Sequence, residues 1–138
     1  MIQLIVGEKG KGKTKHLLEK VNTEIKSASG NIVYLDKNTK HMYELCNKVR
    51  LINVKDYPIN NSDEFVGFIS GIISQDHDLE QVYLDSFLEI ACICNNLEST
   101  IHKLSNIGEK YHIKFVLSVS LNENEISEDL KQNIIISL

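Results

Sequence analysis

Eight residues near the start of the chain constrain it more than any other stretch. They are Gly7-Glu8-Lys9-Gly10-Lys11-Gly12-Lys13-Thr14, directly after the apolar run Ile2-Gln3-Leu4-Ile5-Val6. They fit G-x-x-x-x-G-K-S/T without a gap, the P-loop or Walker A pattern. Glycines let a backbone curl tightly, so that successive N–H groups point inward at phosphate oxygens. A helix opening at the end of the loop adds the positive end of its dipole to the same anion site. In such a loop Lys13 reaches the outer phosphates and the Thr14 hydroxyl ligates Mg2+. The phosphate-binding residues expected are therefore Gly7, Glu8, Lys9, Gly10, Lys11, Gly12, Lys13, Thr14 and the adjoining Lys15. Four fixed positions match by chance in roughly a few chains per thousand of this length. Context narrows this further, because Leu17, Leu18, Val21 and Ile25 follow at helical spacing over Lys13–Ser27. The competing reading is an idle, solvated turn between a strand and a helix.

Beyond this unit, apolar strands alternate with helix-length segments. Asn31–Leu35 reads as a second buried strand, and Met42, Leu45, Cys46 and Val49 predict a helix over Thr39–Lys48. Leu51–Val54 is a short third strand, expected at an edge, and the only proline, Pro58, lies in the loop after it. Ser62-Asp63-Glu64 opens a helix with Phe65, Ile69, Ile72 and Ile73 on its buried side. Gln81–Asp85 is an apolar run closed by a carboxylate, and Asn95 and Asn96 can cap a helix carrying Leu97, Ile101, Leu104 and Ile107. Ile113–Val119 is another strand; Ser127–Gln132 reads as a short helix and Asn133–Leu138 as a last strand. This order predicts an α/β fold of three layers, with a mainly parallel sheet of five to six strands and helices on both faces. Residues 1–138 are expected to form one nucleotide-binding domain.

Ligands of such sheets bind where strands end, and Gly7, Asp36, Asp85 and Ser120 all fall at that rim. Asp85 closes its strand as a Walker B carboxylate does, supporting Mg2+ or a water of its shell; a cap for the following helix is the plainer reading. The attacking water also needs an orienter. Many P-loop ATPases place Glu directly after the Walker B Asp, but here Ser86 stands there. Asp36 is the leading alternative and Glu89 another, although a turn-forming Asp is the commoner use of that residue type. Lys13, Asp36 and Asp85 are thus the catalytic candidates, and Thr14 and Asp85 the metal ligands. Arg50 is the only arginine, which disfavours a small-molecule kinase, since those clamp phosphates with several arginine forks. Guanine recognition uses Asn-Lys-x-Asp; Asn47-Lys48-Val49-Arg50 lacks the Asp, so ATP is preferred to GTP.

Charge is unevenly spread over a net −4. Residues 1–55 carry eleven Lys/Arg against five Asp/Glu, and residues 56–138 four against fourteen. The basic part holds the phosphate loop, whereas the acidic remainder argues against a general nucleic-acid binder. It also leaves room for a salt-sensitive homo-oligomer, or for an unidentified protein partner. No run is long enough for a membrane span, and the start lacks signal-peptide order. The cysteines Cys46, Cys92 and Cys94 are odd in number; the apolar surroundings of Cys92 and Cys94 predict buried, reduced thiols, and the location is expected to be cytoplasmic.

The layout resembles the RecA-like, additional-strand branch of P-loop NTPases over essentially the whole chain, carried by Gly7–Thr14 and, more weakly, Val82–Asp85. The resemblance implies a sheet order of last strand, P-loop strand, Ile113–Val119, Gln81–Asp85, then Asn31–Leu35. It also implies a polar γ-phosphate sensor at Ser118 or Ser120, and Asp36 as the acidic residue ending the next strand. The chain is also similar to short bacterial ATP-binding proteins labelled twitching-motility PilT-type. Pilus-retraction ATPases are much longer and carry acidic and histidine boxes with no counterpart here, so the motor function is not implied. The reading is an ATP-binding protein with slow Mg2+-dependent hydrolysis. The alternatives are a nucleotide-dependent switch or scaffold with little or no hydrolysis, and a small-molecule kinase.

Overall fold

The computed structural model describes residues 1–138. Its strands are β1 (Ile2–Val6), β2 (Asn31–Asp36), β3 (Arg50–Asn53), β4 (Leu79–Leu84), β5 (Lys114–Val119) and β6 (Ile134–Ser137). Its helices are α1 (Lys13–Glu24), α2 (Ser62–Ser74), α3 (Phe87–Ile90), α4 (Leu97–Tyr111) and α5 (Glu128–Lys131). Every strand pairing is parallel, in the order β3-β2-β4-β5-β1-β6. This is the order the RecA-like resemblance implies, with β3 added at the outer edge as the sequence predicts.

Alternation along each strand decides the layers, because successive side chains leave the sheet on opposite faces. On one face Ile5, Ile32, Tyr34, Tyr83 and Val116 meet Leu17, Leu18 and Val21 of α1. On the other, Leu4, Val33, Leu35, Val82, Leu84, Phe115 and Leu117 meet Phe65, Ile69 and Ile73 of α2 and Ile101 and Leu104 of α4. The α1 face is the thinner one, so each contact there matters: truncating a wholly buried leucine costs about 2–5 kcal/mol, and Leu17 is such a residue. No helix is long and apolar enough to cross a membrane.

Several local expectations need correction. The helix over Thr39–Lys48 does not form; only a 3-10 turn at Met42–Glu44 does. Met42 and Tyr43 are exposed rather than aligned on an apolar face. Asn22 of α1 takes over the backbone bonds a helix would make, donating to the Glu44 carbonyl at 2.8 Å and accepting the Cys46 N–H at 2.9 Å. Asn38 likewise accepts the Lys40 N–H, a side-chain turn that competes with helix. α1 ends at Glu24 rather than Ser27, and β4 starts two residues before the predicted strand, at Leu79. Asn96 does stand at the N-cap of α4, but its side chain turns away, accepting from the Cys94 N–H and donating to the Ser62 hydroxyl. The cysteines are free, and Cys92 and Cys94 are not buried as expected: Cys94 is exposed and Cys92 half-buried, in the turn between α3 and α4; Cys46, after the Met42–Glu44 turn, is also half-buried.

Candidate functional site

Backbone geometry builds the loop between β1 and α1. Gly7, Gly10 and Gly12 have φ of +153°, +83° and +92°, conformations a side chain resists. Gly12 is the N-cap of α1 and offers no side-chain acceptor, so the first turn of the helix is left with its donors free. The N–H groups of Lys9, Gly10, Gly12, Lys13, Thr14 and Lys15 accordingly donate to no protein acceptor. Lys11 donates to the Glu8 carbonyl at 3.4 Å, and the Lys13 ammonium crosses the loop to the same oxygen at 2.9 Å. Lys13 is only 8% exposed. Burial lowers its pKa, and the charge of Asp85 opposes that shift. The loop is strapped from behind: Gly7 N–H donates to the Leu121 carbonyl, and Asn122 Nδ2 donates to Glu8 Oε1, at 2.8 and 2.9 Å.

Asp85, one residue past β4, is the hub of the rim and is 2% exposed. Its Oδ1 accepts from the Ser118 hydroxyl at 2.7 Å, the Ser86 N–H at 2.9 Å and the Thr14 hydroxyl at 3.2 Å. Its Oδ2 accepts from the Tyr34 phenol at 2.8 Å. Burial first, and then the Asp85 charge, raises the phenol's pKa far above its ordinary value, so Tyr34 serves only as a donor. Ser86 sits at φ 54°, a left-handed conformation unusual for a residue with a side chain, and its N–H also donates to Ser118 Oγ. The structure thus bonds Thr14 to Asp85 and leaves Lys13 within reach of the Asp85 charge. It also shows that Ser118 is committed to Asp85 rather than turned outward as a sensor, while Ser120 lies half-buried just past β5.

Asp36 ends β2 beside Asp85, whose N–H donates to the Leu35 carbonyl. It is buried and accepts the N–H of Lys37 at 2.7 Å. Burial, followed by the neighbouring Asp85 charge, raises its pKa above the usual carboxylate range. Glu89 is bound up with Lys37 and Lys55. Arg50 is far from this rim, for it opens β3 opposite Val33, three register positions before the Asp36–Asn53 pair. Tyr34 is the residue that sequence reasoning missed. The available signal was its phenol within the apolar run Ile32–Leu35, since a buried phenol needs a partner.

Two hollows lie at opposite rims of the sheet. One of about 320 Å3 lies along the first turns of α1, lined by Thr14, Lys15, Asn22, His41 and Glu44 among others. A larger one of about 590 Å3, floored by Ile73, Leu79 and Ile113, opens at the other rim and is lined by none of the predicted site residues.

No protein-family model and no curated protein matches the chain. Solved structures do. A KaiC-like protein from the hyperthermophilic archaeon Pyrococcus horikoshii aligns with a TM-score of 0.56 at 15% identity, covering 85% of this chain and 59% of that one. The chain therefore spans about three fifths of that protein's length. The fold is a RecA-like P-loop NTPase fold. The conjugation coupling protein TcpA of pCW3, solved as a monomer form with ATPgS, aligns at a TM-score of 0.43 and 14% identity, over 96% of this chain and 46% of that one. At these identities the likeness concerns fold alone, and the chemistry of the site rests on its own residues.

Proposed function

We propose that the protein binds ATP with Mg2+ and hydrolyses it slowly. The observation that carries this reading is the row of backbone N–H groups at Lys9, Gly10, Gly12, Lys13, Thr14 and Lys15 that no protein atom satisfies. They lie in a loop bent by three glycines with positive φ at the mouth of a helix. Most of these residues are exposed, so water can pair with their N–H groups; set side by side at a helix mouth, they fit an anion with many acceptor oxygens. The loop from Gly7 to Lys15 would hold the phosphates through its free N–H groups, with Gly7 and Lys11 bonded within the protein and shaping it. Lys13 would leave the Glu8 carbonyl to neutralise the phosphates. Thr14 and Asp85 would hold Mg2+, which when bound offsets phosphate charge. Asp36, whose raised pKa makes it a readier proton holder than an ordinary carboxylate, would orient water. The hollow lined by Thr14 and Lys15 adjoins the loop and offers space for a nucleoside.

Lys13→Ala tests the reading. Losing one charge-assisted contact to phosphate costs about 1.5–3 kcal/mol, roughly ten- to a hundredfold in affinity. Calorimetric titration showing unchanged ATP affinity in a folded variant refutes it.

A second reading, a nucleotide-dependent switch with little turnover, is favoured by one further observation. The rim of this chain holds no arginine, and Glu89 is engaged by two lysines. Steady-state phosphate release, measured with and without candidate protein partners, separates the two.

A further inference from the structure

The rim carries a cationic pair, Lys37 and Lys55, that has no task in ATP binding. Lys37 follows Asp36 at the end of β2, Lys55 lies just past β3, and Glu89 belongs to α3, which follows β4. These three strands are neighbours in the sheet, so their ends deliver all three side chains to one place. Glu89 Oε1 is 3.8 Å from Lys37 Nζ, and Glu89 Oε2 is 3.7 Å from Lys55 Nζ. Both distances exceed a good charge-assisted hydrogen bond, and neither lysine has another acidic partner within ion-pair reach. At ion-pair distance one carboxylate is shared between two ammonium groups, while the buried Asp36 carboxyl also feels the Lys37 charge. The side chains of Lys37, Lys55 and Glu89 are 35%, 55% and 46% exposed, so this is a loose pairing that solvent already screens.

We propose that Lys37 and Lys55 form a second anion subsite, suited to a phosphoryl group, and that the Glu89 carboxylate fills it as an internal stand-in until a ligand displaces it. A phosphoryl group matches two point-charge lysines in both charge and acceptor number, where a single carboxylate does not. Displacement is cheap because exposed pairs of this kind contribute little, and the freed Glu89 returns to water. The placement beside Asp36 gives the subsite its meaning and rests on the nucleotide reading above. The phosphoryl group has two sources: the terminal phosphate of the bound triphosphate, or a separate phosphate-bearing ligand.

The test is calorimetric titration of the full chain with ATP, with ADP, and with inorganic phosphate in the presence of ADP. Wild type is compared with Glu89→Gln, with the double variant Lys37→Ala/Lys55→Ala, and with Glu109→Gln, which makes the same charge change on the exposed face of α4. Removing the stand-in should tighten one probe threefold to tenfold, and removing the lysines should weaken that same probe by a similar factor. A shift confined to ATP, with ADP unmoved, assigns the subsite to the terminal phosphate. A shift confined to inorganic phosphate assigns it to a separate ligand. The proposal is overturned if no probe responds to Glu89→Gln, if that variant binds more weakly, or if Glu109→Gln has the same effect. Lys13→Ala in the same titrations keeps the two ideas apart. Loss of ATP binding there with no response to Glu89→Gln sinks the subsite and leaves the nucleotide reading intact, whereas retained ATP binding sinks the nucleotide reading itself.

Discussion

Tyr34→Phe isolates the hub of the rim. The substitution deletes one oxygen from a wholly buried ring and leaves the ring's packing against Tyr83, at 6.4 Å between centroids and 9° between planes, in place. What it removes is the only donor to Asp85 Oδ2, whereas Oδ1 keeps Ser118, Ser86 and Thr14. A hydrogen bond to a charged group is worth about 1.5–3 kcal/mol, and the loss here leaves a buried carboxylate oxygen unsatisfied, so about 2 kcal/mol is expected. Taking about 2.1 cal/mol/K of unfolding entropy per residue, that is a fall in Tm of roughly 7 °C. Thermal unfolding followed by far-ultraviolet circular dichroism reads this directly. The same substitution in an Asp85→Asn background should cost much less, because an amide oxygen is the weaker acceptor. A Tm within 1 °C of wild type, or an equal loss in both backgrounds, would show that the bond between Tyr34 and Asp85 does not hold the rim together.

Three further outcomes are expected. Asp36→Asn should stabilise the protein at pH 7.5. Its carboxyl is raised in the fold, so the charged form is penalised there; the penalty is absent below the unfolded-state pKa near 4 and complete above the folded-state value. Urea unfolding at pH 7.5 and pH 4 should therefore show a gain at the higher pH that shrinks at the lower, and equal gains at both would contradict the burial argument. Gly7→Ala should destabilise by about 1–3 kcal/mol, since the residue has φ of +153° and an added Cβ would lie 3.0 Å from Leu138 Cβ and 3.2 Å from its carbonyl oxygen. An unchanged Tm would mean that the loop relaxes freely. Asp85→Asn should weaken ATP binding in Mg2+ more than in EDTA, because it removes charge from the proposed metal site while keeping the shape. Equal shifts in the two titrations would make Asp85 a structural residue only.

The sequence by itself determined what depends on local order. The glycine spacing of Gly7–Thr14 specifies a curled loop, and apolar runs of strand length separated by helical periods specify a parallel sheet covered on both sides. That Asp36 and Asp85 meet at one rim also followed, because the carboxyl ends of parallel strands share an edge. Tertiary structure decided what depends on residues far apart in the chain. Tyr34 and Ser118 lie 51 and 33 positions from Asp85, and only the placement of β2 and β5 on either side of β4 brings their hydroxyls to its carboxylate. The stretch over Thr39–Lys48 shows the reverse case. Its apolar spacing suits a helix, but Asn22 supplies the backbone bonds from a neighbouring element and leaves Met42 and Tyr43 in solvent. Periodicity records which conformation a segment could adopt alone; the donors and acceptors that reach it from elsewhere settle which one it takes.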